Sequence, residues 1–145
     1  MEQNTRRLPQ SPIAGVGAVI SNDAGQVLLI RRGEPPRLGQ WSIPGGKLEW
    51  GESLKEGLRR EIREETGLVI EIERLIDVVD LLTRDAAGGV IGHYVLIDFK
   101  AVHVSGELRA GSDAAEVRWV DPATLDQYAL WDETRRVIVA GLGKS

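Results

Sequence analysis

The segment from Ser53 to Gly67 constrains the fold more than any other part of the sequence, because it specifies a helix with both ends marked. Ser53 and Glu56 have the spacing of a capping box, in which each side chain bonds the backbone N–H of the other residue. Gly67 stands where a left-handed residue commonly terminates a helix. The pattern therefore predicts an α-helix over residues 53–66, with an apolar face that must pack against the body of the protein.

Three glutamates of this predicted helix lie on the same side as its apolar stripe. At about 100° per residue, Glu61, Glu64 and Glu65 fall on one arc that overlaps the stripe beginning at Leu54. An acidic helix run is usually a solvated surface, but carboxylates clustered beside a core repel each other unless a cation neutralises them. Because hard oxygen ligands suit Mg²⁺ or Mn²⁺, the arc indicates a divalent metal site. Gly57 lies in the same arc, where either tight helix packing or room for metal and phosphate would require a glycine.

The regions around the helix predict an α/β domain. Branched apolar runs separated by turn residues predict strands, and the proline-rich and glycine-rich residues 31–51 form a long connection of the kind kept for function. The expected strands are Ile13–Ile20, Val27–Ile30, Ile70–Val79, Val90–Ala101 and Val117–Val120, with the first two joined as a hairpin. Asp121 before Pro122 predicts a helix start, and a last helix is expected from Asp132 to Gly141.

Residues 46–68 carry a longer pattern that includes the acidic helix, GKLEWGESLKEGLRREIREETGL. Gly46 is followed after five residues by Glu52, and after seven more the run from Arg60 to Leu68 begins. This pattern resembles the complete Nudix box of the Nudix hydrolases, with every fixed position filled. A match of so many specified positions is far more specific than a lone glycine-rich loop.

The resemblance extends beyond the box. Residues 41–46 and 114–120 are also similar to members of the family, and the strand order agrees. The resemblance implies the Nudix fold, an α/β/α sandwich with a mixed β-sheet, over residues 13–145. The polar residues 1–12 are expected to form a flexible N-terminal arm.

For the site, the resemblance implies a divalent metal, Mg²⁺ or Mn²⁺, that is held against a pyrophosphate. The implied ligands are Glu61, Glu64, Glu65 and the carbonyl of Gly45. Glu61 and Glu64 are also implied in catalysis, with Glu61 preferred as the group that activates water. A metal in this position screens phosphate charge and orients the substrate.

Further groups are implied around this centre. Arg60 would hold a box carboxylate in place, Glu52 would brace the junction between loop and helix, and Gly46 would lie against the substrate. Family members often add one more acid from a loop outside the box. Here the loop offers Asp113 and Glu116, of which Glu116 is preferred.

Arginines and aromatic residues outside the box are candidates to bind the substrate. Arg31 and Arg32 end a strand that should run toward the site, where they suit phosphate oxygens. Trp41, which borders the long loop, is the preferred residue to stack on a nucleobase, ahead of Tyr94 and Trp131. Strand-end arginines are mostly surface charge, and aromatic residues of this kind are more often part of a core or interface.

Charge and composition restrict the partners. With 18 basic and 22 acidic residues the chain has a formal charge of -4, so no broad cationic surface favours a nucleic acid polymer or an anionic membrane. It has no cysteine, and its apolar runs are shorter than the roughly 20 residues of a membrane helix. We therefore expect a cytoplasmic protein, which could form a homodimer, with a small-molecule nucleotide as its partner.

The box does not identify the group beyond the diphosphate. ADP-ribose or a similar nucleotide sugar is the favoured substrate. Two alternatives stay open: pyrophosphohydrolysis of nucleoside triphosphates, including oxidised ones, and a nucleotide-sensing Nudix domain without turnover. The intact acid set favours hydrolysis over sensing.

Overall fold

The structure is a computed structural model that describes residues 10–34, 37–111 and 113–143. Most of the expected arm at residues 1–12 lies outside the described residues. The elements in chain order are β1 (Ile13–Ser21), β2 (Val27–Arg32), β3 (Trp41–Ser42), β4 (Gly45–Lys47), α1 (Leu54–Thr66), β5 (Val69–Arg84), β6 (Val90–Ser105), β7 (Ala114–Val120), a 3₁₀ helix (Pro122–Tyr128) and α2 (Asp132–Leu142).

The strands form one mixed sheet, as the sequence predicts. β1 runs parallel to β6, from Ile13 opposite Tyr94 to Ser21 opposite Val102, whereas the remaining pairs are antiparallel. β1 and β2 are paired at Ser21 and Val27, and β4 pairs with the part of β1 that β2 leaves open. The glycines of β4 therefore lie inside the sheet.

The two helices cover opposite faces of this sheet. Leu58 and Ile62 of α1 pack in one core cluster, and Val137 and Ile138 of α2 pack in the other. Side chains of β1 alternate between the two clusters, as a strand with both faces covered requires. The expected α/β/α sandwich is therefore confirmed. Neither helix of the described ranges has the length and apolar character of a membrane-spanning segment.

The ends of α1 follow the sequence signals. The Ser53 hydroxyl accepts a hydrogen bond from Glu56 N at 3.2 Å, and Glu56 accepts one from Ser53 N at 3.0 Å. Gly67 terminates the helix with φ 77°. The helix at the C-terminal end begins at Asp132 as predicted, but its N-cap residue is Trp131, which makes no side-chain cap.

The β5–β6 hairpin is longer than predicted. Each strand has 16 residues, because pairing continues past the core into residues that are largely exposed. Only the buried part carries the apolar pattern by which sequence indicates a strand. β7 likewise begins three residues early, at Ala114, where it pairs with Arg32.

Candidate functional site

Glu65 lies where α1 packs against β4. Its side chain accepts a hydrogen bond from Gly45 N at 3.1 Å, and the residue is 9% exposed. Burial raises the pKa of Glu65 to about 7, and the neighbouring charges of Glu61 and Asp113 also raise it. A buried carboxylate in this position is stabilised by a cation.

Glu61 lies beside it, against Gly46. A Cβ atom at Gly46 would stand 2.7 Å from Glu61 Oε2 and overlap the rest of the carboxyl group. Burial raises the pKa of Glu61, although the Arg60 guanidinium opposes the rise. Glycine at position 46 therefore leaves the space that the Glu61 carboxylate occupies.

Arg60 binds several parts of the box at once. Its guanidinium donates to both oxygens of Glu52, at 2.6 and 2.9 Å, and to Glu61 Oε2 at 2.9 Å. It also donates to the Lys47 carbonyl at 3.1 Å, while Glu49 N donates to Glu52 at 2.9 Å. Arg60 thus contacts Glu61 and links the residues before α1 to β4, as expected if it holds a box carboxylate and Glu52 braces the junction, the roles that the resemblance implies.

Glu64 differs from the expected buried arc. Its side chain is 59% exposed and accepts a hydrogen bond from Arg60 at 3.2 Å, so it lies on the rim. Over residues 10–34, 37–111 and 113–143, no three Asp, Glu or His side chains converge closely enough to enclose a metal. Magnesium is commonly held by only one or two carboxylates together with substrate phosphates, and Glu61 and Glu65 fit that donor set.

The loop before β7 brings Asp113, rather than Glu116, to these carboxylates. Gly111 N donates to the Glu65 carbonyl at 2.7 Å, so the loop lies against the last turn of α1. The charge of Asp113 raises the pKa of both Glu61 and Glu65. Glu116 instead accepts hydrogen bonds from Arg118 and Arg31, and these lower its pKa.

Of the two explanations for Gly57, the structure supports tight helix packing. A Cβ atom there would stand 2.6 Å from Leu48 Cδ1 and 3.0 Å from Glu52 Oε1. The helix therefore approaches the preceding loop too closely for a side chain.

A cavity of about 450 Å³ opens on the α2 side of the sheet and reaches the glycines of β4. Its volume is within the range of small-molecule sites. The cationic lining residues are Arg32, Arg37 and Lys47, beside Gly45 and Gly46. The apolar and aromatic lining includes Val79, Leu81, Tyr94, Leu96, Trp131 and Val137. The cavity can therefore hold an anionic group at one part and a flat apolar group at another.

Of the two candidate arginines, Arg32 is the one that lines the cavity. Its charge lowers the pKa of Glu65, and its buried Nε atom has no hydrogen-bond partner among the described residues. Arg31 points elsewhere, with Glu116 at 3.4 Å and the ring of Trp41 at 5.9 Å. A phosphate oxygen would satisfy the Arg32 donor.

Trp41, the preferred stacking residue from sequence, is not among the residues that line the described cavity. Its ring packs edge-on against Tyr128 at 5.1 Å and lies under the Arg118 guanidinium at 4.9 Å. The structure brings Tyr94 and Trp131 to the cavity instead. Their positions depend on how β6 and the start of α2 meet, which no local pattern encodes.

Asp98 was missed by sequence reasoning. It lines the cavity and is only 7% exposed, and burial raises its pKa to about 6. One signal could have found it: a single acidic residue interrupts the apolar run from Val95 to Phe99.

Comparison with known proteins shows the family of the chain. The family model described as NUDIX domain matches residues 11–142. An ADP-ribose pyrophosphatase of Methanocaldococcus jannaschii is 37% identical over 85% of this chain and 70% of its own length. The nucleoside triphosphatase NudI of Escherichia coli K12 is 36% identical over 83% of this chain and 89% of its own.

Solved structures share the fold. A MutT NUDIX hydrolase from Burkholderia pseudomallei superposes with a TM-score of 0.77 at 36% identity, covering 90% of this chain and 98% of that one. The NUDIX domain of Shewanella oneidensis NrtR, solved with ADP ribose, gives a TM-score of 0.73 at 26% identity, covering 96% and 94%.

Proposed function

Since the chain belongs to the Nudix family of hydrolases, we propose that it cleaves the pyrophosphate bond of a nucleoside diphosphate linked to a second group, with ADP-ribose or a similar nucleotide sugar as substrate. One observation carries this proposal. The Glu65 carboxylate is buried and the Glu61 carboxylate is half-buried, and they lie against Gly45 and Gly46 at the edge of a cavity in which Arg32 has a buried donor without a partner among the described residues.

Nudix hydrolases generally need a divalent metal, and the donor set fits one. Glu61 and Glu65 would hold it, with the Gly45 carbonyl and the exposed Glu64 as further oxygen donors from the predicted set. Bound there, Mg²⁺ or Mn²⁺ supplies positive charge that stabilises the diphosphate as the bond to the leaving phosphate breaks. The raised pKa values of Glu61 and Glu65 support this assignment, because a bound cation would stabilise their ionised forms.

The residues of the chain itself then act on the substrate and on water. Arg32 donates to phosphate oxygens, and Arg60 holds the Glu61 carboxylate in one orientation. Glu61 accepts the proton as water attacks phosphorus, and the bridging P–O bond breaks. ADP-ribose would give AMP and ribose 5-phosphate. Asp113 replaces Glu116 as the proposed additional acid, since its charge acts on the same two carboxylates.

The choice of a nucleotide sugar is supported by the relatives. The similarity to a protein named ADP-ribose pyrophosphatase and to a domain solved with ADP ribose favours this substrate class. The cavity also offers Tyr94 and Trp131 for the flat base.

A nucleoside triphosphate is the second candidate. The similarity to NudI, named a nucleoside triphosphatase, covers most of both chains. Three cationic side chains, Arg32, Arg37 and Lys47, line the cavity, which suits an additional phosphate. The products would be a nucleoside monophosphate and inorganic pyrophosphate.

A substrate panel tests the proposal. The purified protein is incubated with Mg²⁺ and equal concentrations of ADP-ribose, other nucleotide sugars, and normal and oxidised triphosphates, and the products are separated by chromatography. We expect ADP-ribose or another nucleotide sugar to give the highest kcat/KM. A tenfold preference for a triphosphate, about 1.4 kcal/mol of transition-state binding, would transfer the assignment to the second candidate. The Glu65→Gln variant, purified in parallel, controls for contaminating hydrolases.

A further inference from the structure

Asp98 is a buried carboxylate in the cavity wall that the proposed chemistry does not use. It lies near the middle of β6, opposite Gly17 of β1, which in turn is opposite Gly45 of β4. Two strand spacings separate Asp98 from Gly45, or roughly 10 Å. Asp98 therefore lies away from the phosphate end of the cavity. A part of the substrate other than its phosphates would contact it.

No hydrogen bond or ion pair within the described ranges stabilises the Asp98 carboxylate, whose pKa reflects only burial and two more distant charges. Lys100, on the same strand and similarly buried at 8% exposure, donates to the Ser21 hydroxyl and the Ala101 carbonyl. Buried polar groups normally have partners, so one without a partner requires a functional explanation.

The charged groups that act on Asp98 are paired with each other. Arg136, whose charge lowers the pKa of Asp98, binds Asp77 at 2.9 Å and Glu133 at 2.7 Å. Asp77 is itself an acid and raises the pKa of Asp98 further. The surrounding protein therefore holds Asp98 as an acceptor without supplying a donor.

The cavity leaves room for the carboxylate at Gly17. A Cβ atom at Gly17 would stand 2.7 Å from Asp98 Oδ1 and 3.3 Å from Ile43 Cδ1. The lining also includes the apolar Leu96 and Val137, together with Thr134 and with Glu133, whose carboxylate is paired with Arg136. An unpaired carboxylate beside apolar side chains suits a flat ring that presents a hydrogen-bond donor on its edge.

The nucleobase is the part of a nucleotide with that shape. An ionised carboxylate only accepts hydrogen bonds, and it pairs with exocyclic amino groups of bases. A carbonyl at the same ring position would place a second hydrogen-bond acceptor against the Asp98 carboxylate, which would then have no donor. The adenine of the proposed substrate carries an amino group, whereas hypoxanthine carries a carbonyl at that position.

We infer that Asp98 accepts a hydrogen bond from the exocyclic amino group of the nucleobase and thereby makes this site selective for adenine over hypoxanthine. This inference rests on the proposed function, because it requires a nucleotide in the cavity. It adds a specificity-determining residue that is distant from the metal-binding carboxylates.

Matched nucleotide pairs test this selectivity. The kcat/KM values are compared for ADP-ribose against inosine diphosphate ribose, and for ATP against ITP. We expect the wild-type protein to prefer the amino base by about 10-fold to 100-fold. Asp98→Asn should lose or reverse the preference, because its amide can donate to the carbonyl of hypoxanthine. Asp80→Asn is the matched control, since it removes a carboxylate from an exposed side chain of β5 outside the described cavity lining, and it should keep the preference.

Binding of AMP and IMP by calorimetry separates this inference from the proposed function. If no diphosphate or triphosphate is hydrolysed, the proposed function fails, but a preference for AMP that Asp98→Asn removes still supports Asp98 as the base-reading residue. Equal affinity of the wild-type protein for AMP and IMP, binding of neither, or a preference that survives Asp98→Asn would overturn the inference. The wild-type comparison needs no variant, so a folding defect in Asp98→Asn cannot obscure it.

Discussion

The charged groups around Arg60 and those in the cavity differ in how many hydrogen bonds the protein makes to them. In the Arg60 network, formed by Arg60, Glu52, Glu61 and Glu64, the guanidinium donates to all three carboxylates. In the cavity, the Asp98 carboxylate and the Nε atom of Arg32 have no partner among the described residues. The side chains of the network are 17–59% exposed, whereas Asp98 is only 7% exposed, so the less buried groups are the ones that the protein pairs.

The difference separates two tasks. Side chains held by several hydrogen bonds keep one geometry before the substrate arrives, which is what orienting a reacting group requires. Groups left without partners in a cavity gain theirs from a ligand, and an unsuitable ligand leaves them unpaired. We therefore assign the Arg60 network to the chemistry and the cavity to recognition of the substrate.

Of the changes that compare the two regions, breaking the network should have the largest effect. Arg60→Ala leaves Glu61 without its orienting donor and Glu52 without its partner, so kcat should fall by about 100-fold while nucleotide binding in the cavity changes little. Steady-state kinetics with Mg²⁺ measure this split between kcat and KM. Arg59→Ala, at a neighbouring exposed position, is the control and should behave like wild type. A loss confined to KM would show that Arg60 binds substrate rather than orients Glu61.

Asp98 in the cavity should make the free energy of unfolding depend on pH. Asp98 has a pKa of about 6 in the folded protein and an ordinary value of 3.8, so the folded state binds its proton more tightly than the unfolded state. Asp98 therefore contributes stability that is fully present below pH 4 and is lost as pH rises through 6. The loss amounts to roughly 2–3 kcal/mol at 1.36 kcal/mol per pKa unit.

Urea denaturation of the wild-type protein and Asp98→Asn at pH 4.5 and 7.5 measures this contribution. The variant should gain stability relative to the wild type as the pH rises, because it lacks the titrating group. Glu65 also has a raised pKa, but it is present in both proteins and cancels in the difference. A stability difference that is equal at the two pH values would mean that Asp98 finds a partner in solution.

The smallest expected effect distinguishes the two loop acids. Asp113→Asn removes a charge that acts on Glu61 and Glu65, and we expect kcat/KM to fall by about tenfold, since positioned acid or base groups contribute at least this much. Glu116→Gln removes only a partner of Arg31 and Arg118, so activity should change less than twofold. The reverse ranking would restore Glu116 as the additional acid.

The Arg60 network could be predicted because its residues lie in one short segment. The capping box, Gly67 and the helical spacing of the glutamates indicate the helix, and the resemblance of the same segment to the Nudix box implies the roles of Arg60 and Glu52. The exception is Glu64, where the angular estimate indicated a buried arc but the side chain extends along the rim toward Arg60. Helical angle alone does not decide burial near the edge of a packed face.

The cavity could not be predicted in the same way, because its walls come from separate strands and from α2. Trp41 borders the long loop in sequence, yet Arg118 and Tyr128 cover it, whereas Trp131 enters the cavity from a distant part of the chain. Asp113 approaches the carboxylates only because Gly111 packs against the end of α1. These positions follow from tertiary packing.

Replacement of Glu65 by Gln tests the central claim most directly, because it keeps the shape of the side chain but removes a charge from the proposed metal site. Hydrolysis of ADP-ribose is followed at saturating Mg²⁺, with and without chelator, alongside calorimetric binding of AMP. We expect the wild-type protein to release AMP and ribose 5-phosphate, chelation to abolish the reaction, and Glu65→Gln to lose at least 100-fold in kcat while still binding AMP. Wild-type turnover by Glu65→Gln, or equal activity in chelator, would contradict a metal mechanism at these carboxylates.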